Sequence, residues 1–163
     1  MGQLGLHFTV DRDGQQRLLA AVGDDAFVVR TVHELEMTKT TDACPTDKAW
    51  DAIHRCLTDG RLAFDNGSYP LNAAILGGRQ LHDGEDYIVS YLLATQVRQV
   101  ATALVQVDEA WLRHRYWTID PDDYGPEHGD TDLEYTLAMF TNLVAFFART
   151  ATAGHATVFI VDQ

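Results

Sequence analysis

Four stretches of the chain have patterns of apolar and polar positions that predict β-strands. Apolar side chains alternate with polar ones through residues 4–10, and a second alternating stretch covers 27–37. Two mostly apolar runs, 86–93 and 156–161, have the length of buried strands. We therefore expect strands near both ends of the chain and others between them.

Elsewhere, apolar residues recur every three or four positions, which predicts amphipathic helices. These helices cover 15–22, 46–58, 95–106 and 131–152, and another begins at Asp108. Strands near both ends, with helices between them and no regular β–α–β alternation, favour an α+β fold with a mixed or antiparallel sheet and several packed helices. No linker rich in Pro, Gly or Ser divides the chain, so we expect a single domain over residues 1–163.

Individual polar residues predict where elements begin and end. Thr46 is expected to cap the helix that follows it, and Thr131 with Glu134 forms a predicted capping box. The polar stretches 38–45 and 119–132 are expected to be loops, and the second of them is strongly acidic.

Charge and apolar surface indicate the class of partner. The chain has 24 Asp and Glu against 12 Lys and Arg, a formal net charge of −12. Such a surface repels nucleic acid and anionic membranes, and it attracts a basic protein. Phe146 and Phe147 are adjacent on a predicted helix, so we expect one of them to face outward and to favour a homodimer.

The location follows from what the sequence lacks. No apolar run is long enough to cross a membrane, and residues 1–14 do not have the pattern of a signal peptide. We therefore expect a cytoplasmic protein, with Cys44 and Cys56 as free thiols in a reducing compartment.

Three longer motifs carry a resemblance to a known family. They are DKAWDAIHRCLTDG at 47–60, YPLNAAILGG at 69–78 and the aromatic-rich LEYTLAMFTNLVAFFARTATAGHA at 133–156. Together with the MGQLGL start, they resemble the YfbM-like family of bacterial proteins, most strongly over 46–161. The resemblance implies a single α+β domain, and it brings no assigned reaction and no catalytic residues.

A small-molecule cleft is the leading functional hypothesis. Trp50 and His54 are four residues apart on a predicted helix, so their rings face the same side. An indole can stack on a ligand, and an imidazole can exchange a hydrogen bond or a proton. We expect the cleft between the 47–58 helix and the 69–79 loop, with no reaction assigned. Its other candidate ligand-binding residues are Tyr69, Asn72, Arg79 and Tyr87.

Three alternatives to this cleft stay open. The first is a protein-binding module, such as an inhibitor or an immunity-like protein, whose acidic surface around Asp122 and Asp123 meets a basic partner. The second is an enzyme with His54 as general base. In the third, Trp50 and His54 are core residues. Trp50→Ala would then reduce stability, whereas in a cleft it would abolish binding and leave the fold intact.

Sequence spacing argues against a metal or a cofactor. The chain has no HxxxH or CxxC pair. The stretch that begins at Asp120 resembles a calcium loop, but Tyr124 and Thr131 stand where two ligands are required. The 77–79 segment, Gly-Gly-Arg, could cradle an anion, yet no phosphate-binding motif surrounds it. We therefore expect no metal and no cofactor.

Overall fold

The centre of the fold is an antiparallel sheet. The computed structural model describes residues 3–38 and 42–162. The strands are β1 (Gly5–Val10), β2 (Ala43–Asp47), β3 (Arg79–Gln80), β4 (Tyr87–Leu92) and β5 (Ala156–Asp162). Their order is β2-β1-β5-β4-β3, and every neighbouring pair is antiparallel. The first and last strands of the chain therefore lie side by side near the middle of the sheet.

Seven α-helices and one short 3-10 helix accompany the sheet in the described residues. The α-helices are α1 (Arg12–Ala21), α2 (Asp25–Glu36), α3 (Ala49–Leu57), α4 (Ala94–Leu104), α5 (Glu109–Trp117), α6 (Pro121–Tyr124) and α7 (Asp130–Ala153), and the 3-10 helix is Leu71–Ala74. Within the described ranges, no helix is both long enough and apolar enough to cross a membrane.

The sheet separates two hydrophobic layers. On one face, α1 and α2 bury residues such as Val32 against Phe8 of β1. On the other face, α3, α4, α5, α7 and the 3-10 helix share a larger cluster, in which Ile53 of α3 and Phe159 of β5 take part. The α+β class with an antiparallel sheet and several packed helices is therefore confirmed.

The prediction of a strand over 27–37 is wrong, because this segment lies in α2. Its buried side chains are Val28, Thr31, Val32 and Leu35, a spacing that fits a helix and not a strand. The carboxylate of Asp24 caps the helix by accepting a hydrogen bond from the Phe27 N–H at 3.1 Å.

Two loops that the sequence predicts contain regular structure. In 38–45, residues from Ala43 onward belong to β2, and 39–41 lie outside the described residues. The 119–132 stretch contains α6 and the start of α7.

Both predicted threonine caps are also wrong. Thr46 is in β2, where its hydroxyl donates to the Gly5 carbonyl at 3.3 Å. The α7 helix has Gly129 at its N-cap, and Glu134 pairs instead with Arg113 at 2.7 Å. Thr46 and Glu134 thus contact residues far away in the sequence and do not cap the helices next to them.

The phenylalanine pair does not expose an apolar face. Phe146 and Phe147 are both fully buried, with ring centroids 5.8 Å apart in an edge-to-face arrangement. Their rings lie beside the buried imidazole of His7, at 6.0 and 5.8 Å. The reason for expecting a homodimer is therefore wrong, and the oligomeric state itself stays a prediction.

Candidate functional site

Trp50 and His54 lie on α3, as the sequence predicts, but both are buried. Only 3% of Trp50 is exposed, and its indole N–H donates to the Gln3 carbonyl at 3.0 Å. The Nε2 of His54 lies 2.8 Å from both the Ala63 carbonyl and Asn66 Oδ1. Two acceptors at one nitrogen indicate that Nε2 carries the proton.

His54 is held as a neutral ring inside the protein. Burial lowers its pKa, against the opposing effects of Asn66 and the Ala63 carbonyl. Its Nδ1 is also buried and has no hydrogen-bond partner among the described residues. A general base must reach the proton that it removes, and neither ring nitrogen of His54 faces solvent.

Asn66 connects this buried group to the turn that follows α3. Its amide nitrogen donates to Asp59 Oδ1 at 2.7 Å and to the Arg61 carbonyl at 2.8 Å, and Thr58 Oγ1 lies 3.1 Å away. No local sequence pattern indicates this network, because its partners are distributed over residues 54–66. The Nε2 of His54 and the side-chain amide of Asn66 are therefore both occupied by protein partners.

The other four predicted site residues do not converge on Trp50. Tyr69 is exposed, and its hydroxyl donates to the Gln99 side chain. Asn72 is half-buried in the 3-10 helix, and Arg79 is exposed at the sheet edge. Tyr87 points to the opposite face of the sheet, where its hydroxyl lies 3.0 Å from His33 Nε2. Ligand binding by this set stays a prediction.

The space between α3 and the 3-10 helix is filled by apolar side chains. Ala73, Ala74 and Ile75 are buried in the same cluster as Ile53. Gly77 closes the segment, because a Cβ there would lie 2.6 Å from the Asn72 carbonyl oxygen. This glycine is thus required for close packing, which explains it without an anion.

An open cleft lies at the N-terminal end of α3. It has a volume of about 480 Å³ and is walled by α3, the α6 region and the first turns of α7. Three aromatic residues and three carboxylates dominate its lining, with Lys48 as its basic residue: Trp50, Tyr124, Tyr135, Asp51, Glu127 and Asp132. We call it the aromatic–carboxylate cleft.

Asp132 is fixed at the base of the α7 wall by two phenols. The hydroxyls of Tyr116 and Tyr124 both donate to its Oδ2, at 2.6 and 2.8 Å. Desolvation, followed by the nearby Asp132 charge, raises the pKa of both phenols. The two hydroxyls therefore stay protonated, and both remain donors to this carboxylate.

The α3 wall contains a buried arginine between two carboxylates. Arg55 is 5% exposed at its side chain and contacts Asp51 at 2.6 Å and Asp123 at 2.5 Å. Burial raises the pKa of Asp51, while Arg55 opposes this shift. The guanidinium also lies 5.5 Å from the centre of the Tyr124 ring, so it ties α6 to α3.

Tyr135 completes the cleft by connecting α7 to the sheet. Its hydroxyl donates to Asp47 Oδ2 at 3.1 Å, at the end of β2. The charge of Arg55 is shared by Asp51 and Asp123, which leaves Glu127 and Asp132 of the lining opposed by Lys48. The cleft is therefore negative overall, and its polar surface suits a cation.

The described residues offer neither a metal-binding cluster nor an accessible thiol. They contain no group of three or more His, Cys, Asp or Glu side chains placed to hold a metal ion. Cys44 and Cys56 are free and buried, and burial raises their pKa to about 11 and about 12. Thiols of this kind are inert at neutral pH.

The sequence places Trp50 on a candidate cleft wall, and it does not indicate the opposite wall of the cleft that the structure contains. Tyr124, Glu127 and Asp132 belong to a stretch that reads as a solvated acidic loop. The available signal was the occurrence of Tyr124 among the carboxylates, because a tyrosine in an otherwise polar segment often marks a half-buried position.

Comparison with known proteins identifies a family without a described activity. The sequence model of a domain of unknown function, DUF1877, matches residues 1–160. A crystal structure of YfbM from Escherichia coli, a protein of unknown function, has a similar fold, with a TM-score of 0.72 and 20% sequence identity. The match covers 97% of this chain and 99% of that one. Among curated proteins, none matches. The resemblance to YfbM-like proteins is thus confirmed, and the chain belongs to the DUF1877 family.

Proposed function

We propose that the chain is a binding protein whose aromatic–carboxylate cleft takes a small organic cation. The observation that carries this proposal is the lining itself, in which the partly exposed rings of Tyr124 and Tyr135 stand beside carboxylates with a single lysine. Rings of this kind attract ammonium and guanidinium groups through their faces, and carboxylates add charge-assisted hydrogen bonds.

The cleft retains part of the sequence-based hypothesis. The wall containing Trp50 is the one that the sequence indicated, while residues 124–135 replace the 69–79 loop as the opposite wall. The volume of about 480 Å³ lies within the range typical of small-molecule sites. A ligand with one or two amino groups and a short alkyl chain fits both the size and the charge.

Binding is favoured over catalysis by the way in which the polar groups are engaged. The phenols donate to Asp132, and Asp51 is paired with Arg55. The raised pKa of Tyr124 keeps its hydroxyl protonated at neutral pH, so this phenol is not an activated nucleophile. These groups are arranged to hold a charge and not to transfer a proton.

A thermal-shift titration tests the proposal. Agmatine, cadaverine and choline serve as cations, and glutarate serves as an anion of similar size. At about 100 times its Kd, a bound ligand adds about 2.7 kcal/mol to the free energy of unfolding, which raises Tm by several degrees. We expect at least one cation to raise Tm and glutarate to leave it unchanged.

Two matched variants locate the effect. Glu127→Gln removes one exposed charge from the cleft and is expected to weaken cation binding by about two- to fivefold. Glu85→Gln removes a similar exposed charge from the loop between β3 and β4 and should leave binding unchanged. Equal shifts with cations and glutarate, or equal losses in the two variants, would contradict the proposal.

A further inference from the structure

The outer face of α5 carries two exposed tryptophans. Trp111 is 37% exposed and Trp117 is 49% exposed, and the exposed His114 lies between them. At 100° per residue, the three side chains span an arc of about 120° on the helix surface. The opposite side of the helix buries Leu112 and Tyr116 in the core. Neither tryptophan lines the aromatic–carboxylate cleft.

Both exposed rings are held in position by neighbours. Trp117 packs edge-to-face against Tyr116 at 5.3 Å and against His128 at 5.2 Å. Trp111 lies under the guanidinium of Arg115, which is 5.1 Å from the ring. Arg115 is itself anchored, because its Nε donates to the Cys56 carbonyl at 3.1 Å. Rings that are already oriented lose little conformational entropy when a partner covers them.

The surface next to Trp117 is acidic. Residues 118–134 contain seven Asp and Glu and no Lys or Arg. Asp120, Asp122 and Asp130 among them are exposed. His128, which contacts Trp117, belongs to this segment, so the acidic surface adjoins the tryptophan face directly.

Arg113 of α5 is paired with Glu109 and Glu134, and Arg115 donates to the Cys56 carbonyl. Among the described residues, the exposed charge without an ion-pair partner beside Trp117 is therefore negative. An aromatic anchor beside such charge suits a segment of the opposite charge.

We propose that this face of α5 docks a basic segment of a partner protein. The indoles of Trp111 and Trp117 anchor apolar side chains and stack on arginine, and the exposed carboxylates of Asp120, Asp122 and Asp130 attract the segment and set its orientation. These three carboxylates and the two tryptophans do not line the aromatic–carboxylate cleft, so the docking face is distinct from the ligand-binding residues.

Tryptophan indole resonances report on this surface directly. The protein has three tryptophans, and Trp50 is buried beside the cleft. In ¹H–¹⁵N NMR spectra, a short peptide in which arginine alternates with leucine is the probe. We expect the indole signals of Trp111 and Trp117 to move during the titration, while the Trp50 signal stays in place.

Variants and control peptides make the outcome decisive. Trp117→Ala is expected to weaken peptide binding by at least about tenfold, and Trp111→Ala by less, because Trp111 is less exposed. Phe64→Ala, which removes an aromatic ring of equal exposure elsewhere, should leave the affinity unchanged. Circular dichroism confirms that each variant is folded.

Three results would overturn the docking proposal. In the first, a peptide in which serine replaces leucine binds as tightly, which would mean that charge alone is responsible. In the second, Phe64→Ala weakens binding as much as Trp117→Ala does. In the third, the Trp111 and Trp117 signals move with protein concentration in the absence of peptide, which would show that the face contacts a second copy of the chain.

Discussion

Both sides of α3 carry polar residues, but one side is closed by protein partners and the other side is open. Segment 58–76 covers one side of the helix, and segment 121–135 covers the other. On the first side, the buried His54 meets Asn66 and the Ala63 carbonyl, so its donor is satisfied by the protein. On the second side, Asp132 receives two phenol donors and still faces an open cleft.

The difference shows how a polar residue on an apolar helix face can be interpreted. A histidine or asparagine that meets backbone carbonyls replaces hydrogen bonds lost on burial, and its role is structural. A carboxylate that remains at an open, aromatic-lined space keeps acceptor capacity and charge for a ligand. The structural polar residue and the ligand-binding carboxylate are distinguished only by what surrounds each of them, because both kinds of residue lie next to α3.

Trp50 gives the largest expected effect of a single change. Trp50→Ala removes a side chain that is 3% exposed and packs against Phe159, so the free energy of unfolding should fall by about 3–5 kcal/mol. Trp117→Ala removes an exposed ring, so it should lower the free energy of unfolding by less than about 1 kcal/mol. Urea unfolding measures both. Equal losses would contradict the assignment of Trp50 to the core.

The pH dependence of stability follows from the buried histidines. Burial lowers the pKa of His7 from 6.5 to about 4, and its Nε2 lies 2.8 Å from the Ala74 carbonyl. Below pH 6.5 the unfolded chain binds a proton that the folded chain excludes. The contribution of His7 to the free energy of unfolding is therefore fully present above pH 6.5, and it falls by about 3 kcal/mol as the pH approaches 4. The lowered pKa of His54 acts in the same direction.

Urea unfolding at a series of pH values measures this slope. His7→Gln should flatten it between pH 6.5 and 4, whereas His114→Gln, at an exposed position, should leave it unchanged. A wild-type stability that stays constant over this range would show that His7 is protonated inside the fold.

Asn66 tests the closed side of α3 with a smaller change. Asn66→Ala leaves the imidazole of His54 and the Asp59 carboxylate without their amide partner. The free energy of unfolding should therefore fall by about 1–3 kcal/mol. Asp65→Ala, at the exposed neighbouring position, provides the control for urea unfolding. A loss of the same size in both variants would mean that the network does not stabilise the turn.

The sequence predicts those parts of the fold in which pattern and burial agree. Val97, Val100 and Leu104 lie buried on α4 as their spacing indicates. Prediction fails at 27–37 because an alternating and a helical pattern can both be drawn through this segment, and only burial in the cluster shared with α1 and the sheet selects the helix. It also fails at the second wall of the cleft. Asp132 is far from Trp50 in the sequence, and no local spacing reveals that α7 brings them together.

The Trp50 indole signal tests the central claim, that the open side of α3 binds a cation. Its N–H is bonded to Gln3, and both residues line the cleft, so an occupant must change its environment. In ¹H–¹⁵N NMR titrations, we expect cadaverine to move the Trp50 signal and to leave Trp111 and Trp117 unmoved, with a smaller effect in Glu127→Gln. Glutarate should move none of the three. A Trp50 signal that responds to glutarate as it does to cadaverine, or to neither, would contradict the account.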